Sequence, residues 1–297
     1  MPSLPLYLVL SIILSVSSFA LDLSSQQPKS KRNRGSTRHE HGDEDEYDFD
    51  VVVYDATSGG IMSAVEAARS GLRVALLCAS WPSCYPEGGQ RIGGLSAGGL
   101  GQTDLGPTAS YISGMAREFY ARNRHHYDGL LSGNAQSLEV EDDSCRLPSK
   151  TCNTTFNLEP HVARQLFQDM LTDNIKVTVV YGAQISTVVK DNEGTVIEKL
   201  VLTSGQVFRA DVFIEASYEG DLMAAAQASY RIGREGRLEY NETLAGVQAG
   251  SKGHQFDLQV DPFDDTGHPL PFTSLPRTGV KVGDPDHQVQ SYNYRLC

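Results

Sequence analysis

The sequence has little positive charge and no long apolar run. Its 25 Lys and Arg residues stand against 37 Asp and Glu residues, which gives a formal net charge of −12. No basic surface with interleaved aromatic side chains appears, which argues against a nucleic-acid partner. The apolar run at residues 4–16 is well short of the ~20 residues that a membrane-spanning helix needs. We therefore expect no nucleic-acid partner and no retained membrane anchor.

Cysteine is also sparse, with five residues in the chain. The spacings from Cys78 to Cys84 and from Cys145 to Cys152 do not match a ferredoxin-type ligand run, which argues against an iron–sulfur cluster. We predict no metal site. Cys145 and Cys152 lie in a polar segment and are predicted to form a disulfide that closes a surface loop. Cys78 and Cys84 are spaced closely enough to form a second disulfide of this kind. Spacing alone establishes neither pairing.

The N-terminus has the features of a secretory signal peptide. The apolar run is followed by Ser18-Phe19-Ala20, a small-x-small cleavage pattern, so residues 1–20 are predicted to be removed near Ala20. Asn153 and Asn241 each begin an N-glycosylation sequon. These features predict a secreted, extracellular glycoprotein with no membrane association after cleavage.

Composition divides the rest of the chain into three parts. Residues 21–46 run from a basic cluster into an acidic one with almost no apolar content, and are predicted to be a disordered charged linker. A folded domain is predicted over residues 47–228. Residues 229–297 are rich in Pro, Gly and Asp and are predicted to be irregular. Because the last residues, SYNYRLC, resemble a strand, we expect the sequence to be incomplete at its C-terminus.

The first folded segment is predicted to form a strand, a helix and a second strand. The apolar run at residues 49–54 predicts a buried strand, and Ile61, Ala64, Val65 and Ala68 recur at helical spacing before Gly71. Residues 73–78 predict the second strand. Such a βαβ unit is parallel and right-handed.

The following segments extend this unit. Helices are predicted around residues 111–119 and from Pro160, separated by a polar surface excursion over residues 123–157. Period-two strands are predicted at residues 177–181, 185–190 and 196–202, followed by a returning apolar strand at residues 207–215. This order predicts an α/β fold with a doubly wound sheet whose crossover is partly an antiparallel meander.

The turn after the first strand, DATSGG at residues 55–60, lies where dinucleotide-binding proteins place their phosphate-binding glycines. Those glycines permit a sharp turn and a close approach of backbone N–H groups to a pyrophosphate, and an acidic residue about 20 positions on binds the ribose. Here only Gly60 meets the glycine pattern strictly. Thr57 stands at the second glycine position, and Cys78 stands where the acid is expected.

Taken together, several segments resemble the FAD-dependent oxidoreductase family of the glutathione-reductase-like flavoprotein superfamily. The matching runs are VVVYDATSGGIMSAVEAARSGLRVALL, the double-glycine segments at 92–94 and 96–101, LEPHVARQLFQDML, VFIEASYEGDLMAAA, NETLAGV and QSYNYRLC. The resemblance covers residues 47–297. It implies FAD as cofactor, a Rossmann-like FAD-binding domain over 47–228, and the start of a mixed substrate domain after it.

The resemblance also implies which residues surround the cofactor. The first turn and the end of the second strand lie at the pyrophosphate and ribose, the glycine loop lies on the flavin side, and the turn at 216–221 forms a second contact. The implied cofactor-binding positions are Asp55, Thr57, Gly59, Gly60, Cys78, Gly93, Gly94, Gly98, Gly99, Ala216, Gly220 and Asp221.

Two of these positions depart from the family pattern, which has Gly at 55 and Glu at 78. A side chain at Asp55 strains a turn with positive φ and brings a carboxylate near the pyrophosphate, where like charges repel. Cys78 is a poor acceptor and cannot replace a carboxylate that holds ribose hydroxyls. These departures predict a reduced affinity for FAD.

Three functions follow from these observations. The first is a secreted FAD-dependent oxidoreductase that transfers a hydride between a small or carbohydrate-like substrate and the flavin. The second is a non-catalytic or FAD-deficient relative that keeps the fold. The third is an NAD(P)-dependent dehydrogenase, which the second FAD-type turn and the meander disfavour. No nucleophile-and-base constellation is visible in the sequence, so no catalytic residue is assigned.

Overall fold

The computed structural model describes residues 39–41, 44–80, 83–101, 111–132, 156–174, 176–248, 260–271 and 279–289. The chain separates into two compact units, Met1–Ala228 and Ser229–Cys297. The division falls after Ala228, at the position where the sequence analysis ends the FAD-binding domain. The predicted signal peptide lies outside the described residues.

The described part of the first unit contains nine strands, five α-helices and a short 3-10 helix at Pro86–Gly88. The strands are β1 (His39–His41), β2 (Glu44–Asp48), β3 (Val51–Tyr54), β4 (Val74–Cys78), β5 (Val177–Tyr181), β6 (Ile185–Lys190), β7 (Ile197–Leu202), β8 (Val207–Arg209) and β9 (Val212–Glu215). The helices are α1 (Ser58–Arg69), α2 (Gly94–Ala97), α3 (Gly114–Ser132), α4 (Pro160–Thr172) and α5 (Asp221–Ala225).

Four strands form a parallel sheet in the order β5-β4-β3-β9. β3 pairs in parallel with β4 on one side and with β9 on the other, and β5 lies beyond β4. The chain therefore winds outward from β3 through β4 to β5 and then returns to the opposite side of β3. This is the predicted doubly wound α/β arrangement, and it is confirmed.

The remaining strands form a mixed sheet in the order β1-β2-β8-β7-β6. β6, β7 and β8 pair antiparallel and make up the meander, whereas β2 joins β8 in parallel. Two details differ from the sequence analysis. β5, which the period-two pattern groups with the meander, belongs to the parallel sheet, and the returning run at 207–215 is split into β8 and β9.

The central strands β3 and β4 of the parallel sheet are buried on both faces, and their side chains alternate between two cores. Val51 and Val53 of β3 pack on the helical side with Ile61, Val65 and Phe167. Between them, Val52 and Tyr54 pack on the other side against meander residues that include Leu200, Leu202 and Phe208. Strands covered on both faces read as unbroken apolar runs, which explains the sequence VVVY in β3 and VALLC in β4.

The helices that cover this sheet follow the predicted periodicity. α1 buries Ile61, Ala64, Val65 and Ala68, and Gly71 follows its end with a φ of 94°. α4 begins at Pro160 and buries one apolar stripe. α3 runs to Ser132, so the first residues of the predicted polar excursion, 123–132, are helical.

Strand pairing begins before Tyr47, the residue at which the folded domain is predicted to start. His39–His41 and Glu44–Asp48 form β1 and β2 inside or at the edge of the predicted disordered linker. The Arg209 guanidinium of β8 pairs with the Glu46 carboxylate, so the acidic strand β2 gains a charged partner from the neighbouring strand. Among the described residues, no helix combines the length and the apolar character required to cross a membrane.

The second unit is irregular over the residues that the structure describes, 229–248, 260–271 and 279–289. It contains isolated bridges rather than helices or extended strands, between Arg234 and Asp286 and between Phe263 and Pro269. An ion pair between Arg234 and Asp286 reinforces the first bridge. Asn241, the acceptor of one sequon, is exposed in this unit.

Candidate cofactor site

The predicted cofactor segments meet at the carboxyl edge of the parallel sheet. Chain order reverses at β3, because β4 and β5 lie on one side of it and β9 on the other. Open α/β sheets bind ligands outside the carboxyl ends of their strands at such a switch point. The first turn follows β3 at this edge, and the second turn follows β9.

Thr57 connects these two turns. Its hydroxyl oxygen accepts a hydrogen bond from the Gly60 N–H at 3.2 Å, which caps helix α1, and it donates to the carbonyl oxygen of Ala216 at 2.7 Å. The Ala216 N–H donates in turn to the carbonyl oxygen of Tyr54 at 2.9 Å. The residue at the second glycine position therefore fixes the spacing between the two turns.

The start of α1 has the two features that a phosphate site requires. A Cβ at Gly60 would lie 2.0 Å from the carbonyl oxygen of Asp55, so only glycine permits the helix to pack this close to β3. Gly59 faces open space, with only the Thr57 hydroxyl oxygen at 3.9 Å from a Cβ placed there. The N–H groups of Ser58 and Gly59 have no hydrogen-bond acceptor among the described residues, and such helix N-termini bind anions.

The glycine loop lies against the first turn. The Gly93 N–H donates to the carbonyl oxygen of Ala56 at 2.8 Å, and Gly93 forms an isolated parallel bridge with Thr57. Gly93 has a φ of 101° and packs on the Phe167 ring, where a Cβ would lie 2.6 Å from a ring carbon. Gly98 and Gly99 follow α2, and a Cβ at Gly99 would meet nothing within 4 Å.

Tyr218, in the second turn, is hydrogen-bonded to the glycine loop. Its hydroxyl accepts a hydrogen bond from the Leu95 N–H at 2.7 Å. Its hydroxyl oxygen also fills the space beside Gly94, where a Cβ would lie only 2.1 Å away. No role is predicted for Tyr218 from the sequence, although it lies within the matched run VFIEASYEGDLMAAA. The contact explains why residue 94 is glycine.

Two polar side chains shape the second turn. The Glu215 carboxylate accepts from the Ser217 N–H at 2.6 Å and from the Met223 N–H at 3.0 Å. The Ser217 hydroxyl oxygen accepts from the N–H groups of Gly220 and Asp221 at 2.9 and 3.1 Å. Gly220 takes a φ of 75°, as the turn requires. No role is predicted for Glu215 or Ser217 from the sequence, although both lie within the matched run VFIEASYEGDLMAAA.

The edge of the sheet is acidic. Burial, together with the negative charges of Glu215 and Asp55, raises the pKa of Asp221. Burial likewise raises the pKa of Tyr54 to about 12, and the charges of Asp221, Asp55 and Glu215 contribute. Any anionic ligand at this edge must therefore gain its binding energy from N–H groups rather than from the side-chain charges.

The backbone of Asp55 adopts the positive φ that is predicted from the sequence, but the surroundings of its carboxylate differ from those predicted. Its φ is 78°, and its side chain is 1% exposed. One carboxylate oxygen, Oδ1, accepts from the N–H groups of Ala56, Ala79 and Ser80 at 2.9, 3.1 and 3.2 Å. The Ser80 hydroxyl donates to the other oxygen, Oδ2. The carboxylate is thus turned toward the end of β4.

Cys78 forms a disulfide with Cys84, and both residues are buried. The Asp55 carboxylate lies close to both sulfur atoms. Because a disulfide offers no thiolate, this group does not provide a metal-ligand set. Cys145, Cys152 and Asn153 lie outside the described residues, so the disulfide and the first glycosylation site stay predictions.

FAD, the cofactor implied by the resemblance, fits part of this edge. The open N–H groups at the start of α1 and the glycine at position 60 suit its diphosphate. The ribose side does not fit, because Cys78 is held in a disulfide and the Asp55 carboxylate already accepts four hydrogen bonds. His161, which lies in the matched run LEPHVARQLFQDML, is exposed beside Glu159.

Comparisons with known proteins bear on this site. No curated protein matches the chain. The sequence model described as FAD dependent oxidoreductase matches residues 50–297, which is most of the chain.

Two solved structures are similar to this chain at a low level. PqsL from Pseudomonas aeruginosa, a probable FAD-dependent monooxygenase, is 16% identical over 63% of this chain and 47% of that chain, with a TM-score of 0.36. L-proline dehydrogenase from P. horikoshii is 14% identical over 63% of this chain and 58% of that chain, with a TM-score of 0.40. This chain therefore spans about half the length of PqsL. The match over residues 50–297 shows that the chain belongs to the FAD-dependent oxidoreductase family.

Proposed function

We propose that the protein is a secreted FAD-dependent oxidoreductase that transfers a hydride between a small or carbohydrate-like substrate and the flavin. The observation that supports this function best is the convergence of the first turn, the glycine loop and the second turn. Thr57 joins the first turn to Ala216, and Tyr218 joins the second turn to Leu95. All three segments are those for which the family resemblance implies cofactor contacts.

Each segment has a separate task in this proposal. The N–H groups of Ser58 and Gly59 bind the diphosphate, aided by the positive end of the α1 dipole. The loop that contains Gly93 and Gly94 lies on the flavin side and helps to exclude water from it. When bound, FAD supplies the two-electron redox chemistry, and the protein orients the substrate against the ring.

The proposed secretion rests on the N-terminal run at residues 4–16 and on the cleavage pattern ending at Ala20. The exposed position of Asn241 supports its proposed glycosylation, since an acceptor asparagine must be accessible. The buried Cys78–Cys84 disulfide supports an oxidising compartment. In the same compartment we propose a disulfide between Cys145 and Cys152.

A second candidate function is a relative that keeps the fold but binds FAD poorly. One specific observation favours it: Cys78, at the position of the expected ribose-binding acid, is held in a disulfide, and the Asp55 carboxylate is turned toward the end of β4. The two candidates share the fold and the secretion signal. They differ in whether saturating FAD gives a protein that a substrate can reduce.

The test uses the full chain purified from the medium of secreting cells and incubated with excess FAD. After removal of free flavin, the bound cofactor is measured by its visible absorbance and identified after denaturation. A panel of small alcohols, amines and sugars is then screened under anaerobic conditions for bleaching of the bound flavin.

Bound FAD that one substrate class bleaches supports the proposed oxidoreductase. A chain that stays colourless after incubation supports the FAD-deficient relative instead. Reduction of added NAD or NADP without bound flavin would overturn both and support a nicotinamide-dependent dehydrogenase.

A further inference from the structure

Four hydrogen-bond donors hold the Asp55 carboxylate. The N–H groups of Ala56, Ala79 and Ser80 donate to Oδ1, and the hydroxyl of Ser80 donates to Oδ2. This buried carboxylate, turned toward the end of β4, acts as a structural anion, and its bonds offset the cost of a positive φ at a non-glycine residue.

The Cys78–Cys84 disulfide keeps two of these donors in place. Ala79 and Ser80 directly follow Cys78, which the disulfide joins to Cys84. The ends are held again by the backbone, because the Ala183 N–H donates to the carbonyl oxygen of Cys78 and the Gly182 N–H donates to that of Cys84, both at 3.0 Å. Asp55 and the disulfide therefore act as one unit, which we call the Asp55 latch.

The latch lies where a ribose would need an acceptor. In dinucleotide folds the acceptor is an acidic residue at the end of the second strand, and here that position is Cys78. The Glu215 carboxylate, at the end of β9, already accepts from the N–H groups of Ser217 and Met223. The position that supplies the ribose acceptor in dinucleotide folds therefore offers no carboxylate in this chain.

We propose that the site recognises a flavin through its phosphate and ring system and gains little affinity from the adenosine part, so that the Asp55 latch sets cofactor selectivity. This inference rests on the proposed function, because it places a flavin phosphate at the N–H groups of Ser58 and Gly59. FMN carries the ring and one phosphate but no adenosine, whereas ADP carries the adenosine part and no flavin.

The first experiment measures the dissociation constants of FAD and FMN for the wild-type full chain by quenching of flavin fluorescence. We expect the two values to agree within about threefold, since hydrogen bonds from ribose to a carboxylate would otherwise favour FAD by roughly 10- to 100-fold. Excess ADP should leave FAD bound. A preference for FAD of about 100-fold, with displacement by ADP, would overturn the proposal.

The second experiment restores the family residues at the latch in the triple variant Asp55→Gly, Cys78→Glu and Cys84→Ser. Its affinity for FAD should rise by roughly 10-fold or more while its affinity for FMN stays the same. The matched control, Glu193→Gly, removes an exposed negative charge at the hairpin between β6 and β7 and should change neither affinity. Equal gains for FAD and FMN would show that the latch acts on the phosphate and not on the adenosine side.

The outcomes separate this inference from the proposed function. If the wild-type chain binds neither flavin, the proposed oxidoreductase fails, and the selectivity inference fails with it. If the chain binds FAD with a strong preference over FMN, the oxidoreductase stands and only the role of the Asp55 latch is rejected. The wild-type ratio alone decides between these cases, whether or not the triple variant folds.

Discussion

The hydroxyl of Thr57 donates a hydrogen bond to the carbonyl oxygen of Ala216 at 2.7 Å, across 159 positions of sequence. The same oxygen accepts from the Gly60 N–H and so caps helix α1. This single side chain therefore sets the start of the helix and the distance between the first and second turns. Its geometry depends on the parallel pairing of β3 with β9, which brings Tyr54 and Glu215 side by side.

Thr57→Val should lower the free energy of unfolding, because the valine keeps the shape but removes both hydrogen bonds. Loss of a helix N-cap alone costs about 0.5–2 kcal/mol. Urea titration followed by circular dichroism gives the value. Thr57→Ser keeps the hydroxyl and should stay close to the wild type, so an equal loss in both variants would argue against a role for these bonds.

Gly60→Ala should destabilise the protein through a steric clash. The new Cβ would lie 2.0 Å from the carbonyl oxygen of Asp55, and backbone at this position cannot move without displacing β3 or α1. We expect a loss of at least about 1–3 kcal/mol, the usual cost of overpacking. Gly59→Ala is the matched control, since a Cβ there meets only the Thr57 hydroxyl oxygen at 3.9 Å. Similar melting temperatures for both variants would contradict the packing described above.

Tyr218→Phe should loosen the glycine loop without unfolding the sheet. The variant loses the hydroxyl that accepts from the Leu95 N–H, a bond worth about 0.5–1.5 kcal/mol. Hydrogen exchange followed by mass spectrometry should show faster exchange in the peptide that contains Leu95. Tyr230→Phe, which changes an exposed tyrosine of the second unit, serves as the control and should leave that peptide unchanged.

Glu118→Gln should destabilise the packing of α3 on α1. Glu118 is 5% exposed and forms a bidentate pair with Arg69 at 2.7 and 2.8 Å, with Arg122 bonded to the same carboxylate. Breaking such a buried pair costs about 3–5 kcal/mol at neutral pH. The exposed Glu66→Gln should change the free energy of unfolding by no more than about 0.5 kcal/mol.

The effect of Glu118→Gln should depend on pH. Burial alone raises the pKa of Glu118, but the hydrogen bonds and charges of Arg69 and Arg122 outweigh burial and leave the pKa below its usual value. The contribution of the carboxylate is therefore present above the unfolded pKa of about 4.3 and is lost as the pH falls through the lower folded pKa. The difference in stability between wild type and variant should narrow below about pH 4, and a constant difference would contradict this pairing.

Much of the fold follows from local sequence patterns. The runs of β3 and β4, the apolar stripes of α1 and α4, and the requirement for glycine at position 60 all arise from neighbours in sequence. The family resemblance predicts that the second turn and the glycine loop contact the cofactor, and the structure brings both to the same edge of the sheet.

The surroundings of Asp55 could not be predicted in the same way. Its carboxylate is bonded to Ala79 and Ser80, 24 and 25 positions away, and that contact depends on how the chain leaves β4 and on the disulfide that holds it there. Likewise, the placement of β5 in the parallel sheet depends on its pairing with β4, which a period-two pattern does not specify. Tertiary contacts decide such features.

The most direct test of the account is whether a flavin binds at the N-terminus of α1. Gly59→Asp places a carboxylate in open space at this point, where it is compatible with the start of a helix but repels a phosphate. The flavin bound per chain is measured for wild type, Gly59→Asp and Gly59→Ala after incubation with excess FAD. We expect a molar ratio of flavin to chain near unity for wild type and Gly59→Ala, and little bound flavin for Gly59→Asp. Equal flavin content in Gly59→Asp and wild type, with both folded, would contradict it.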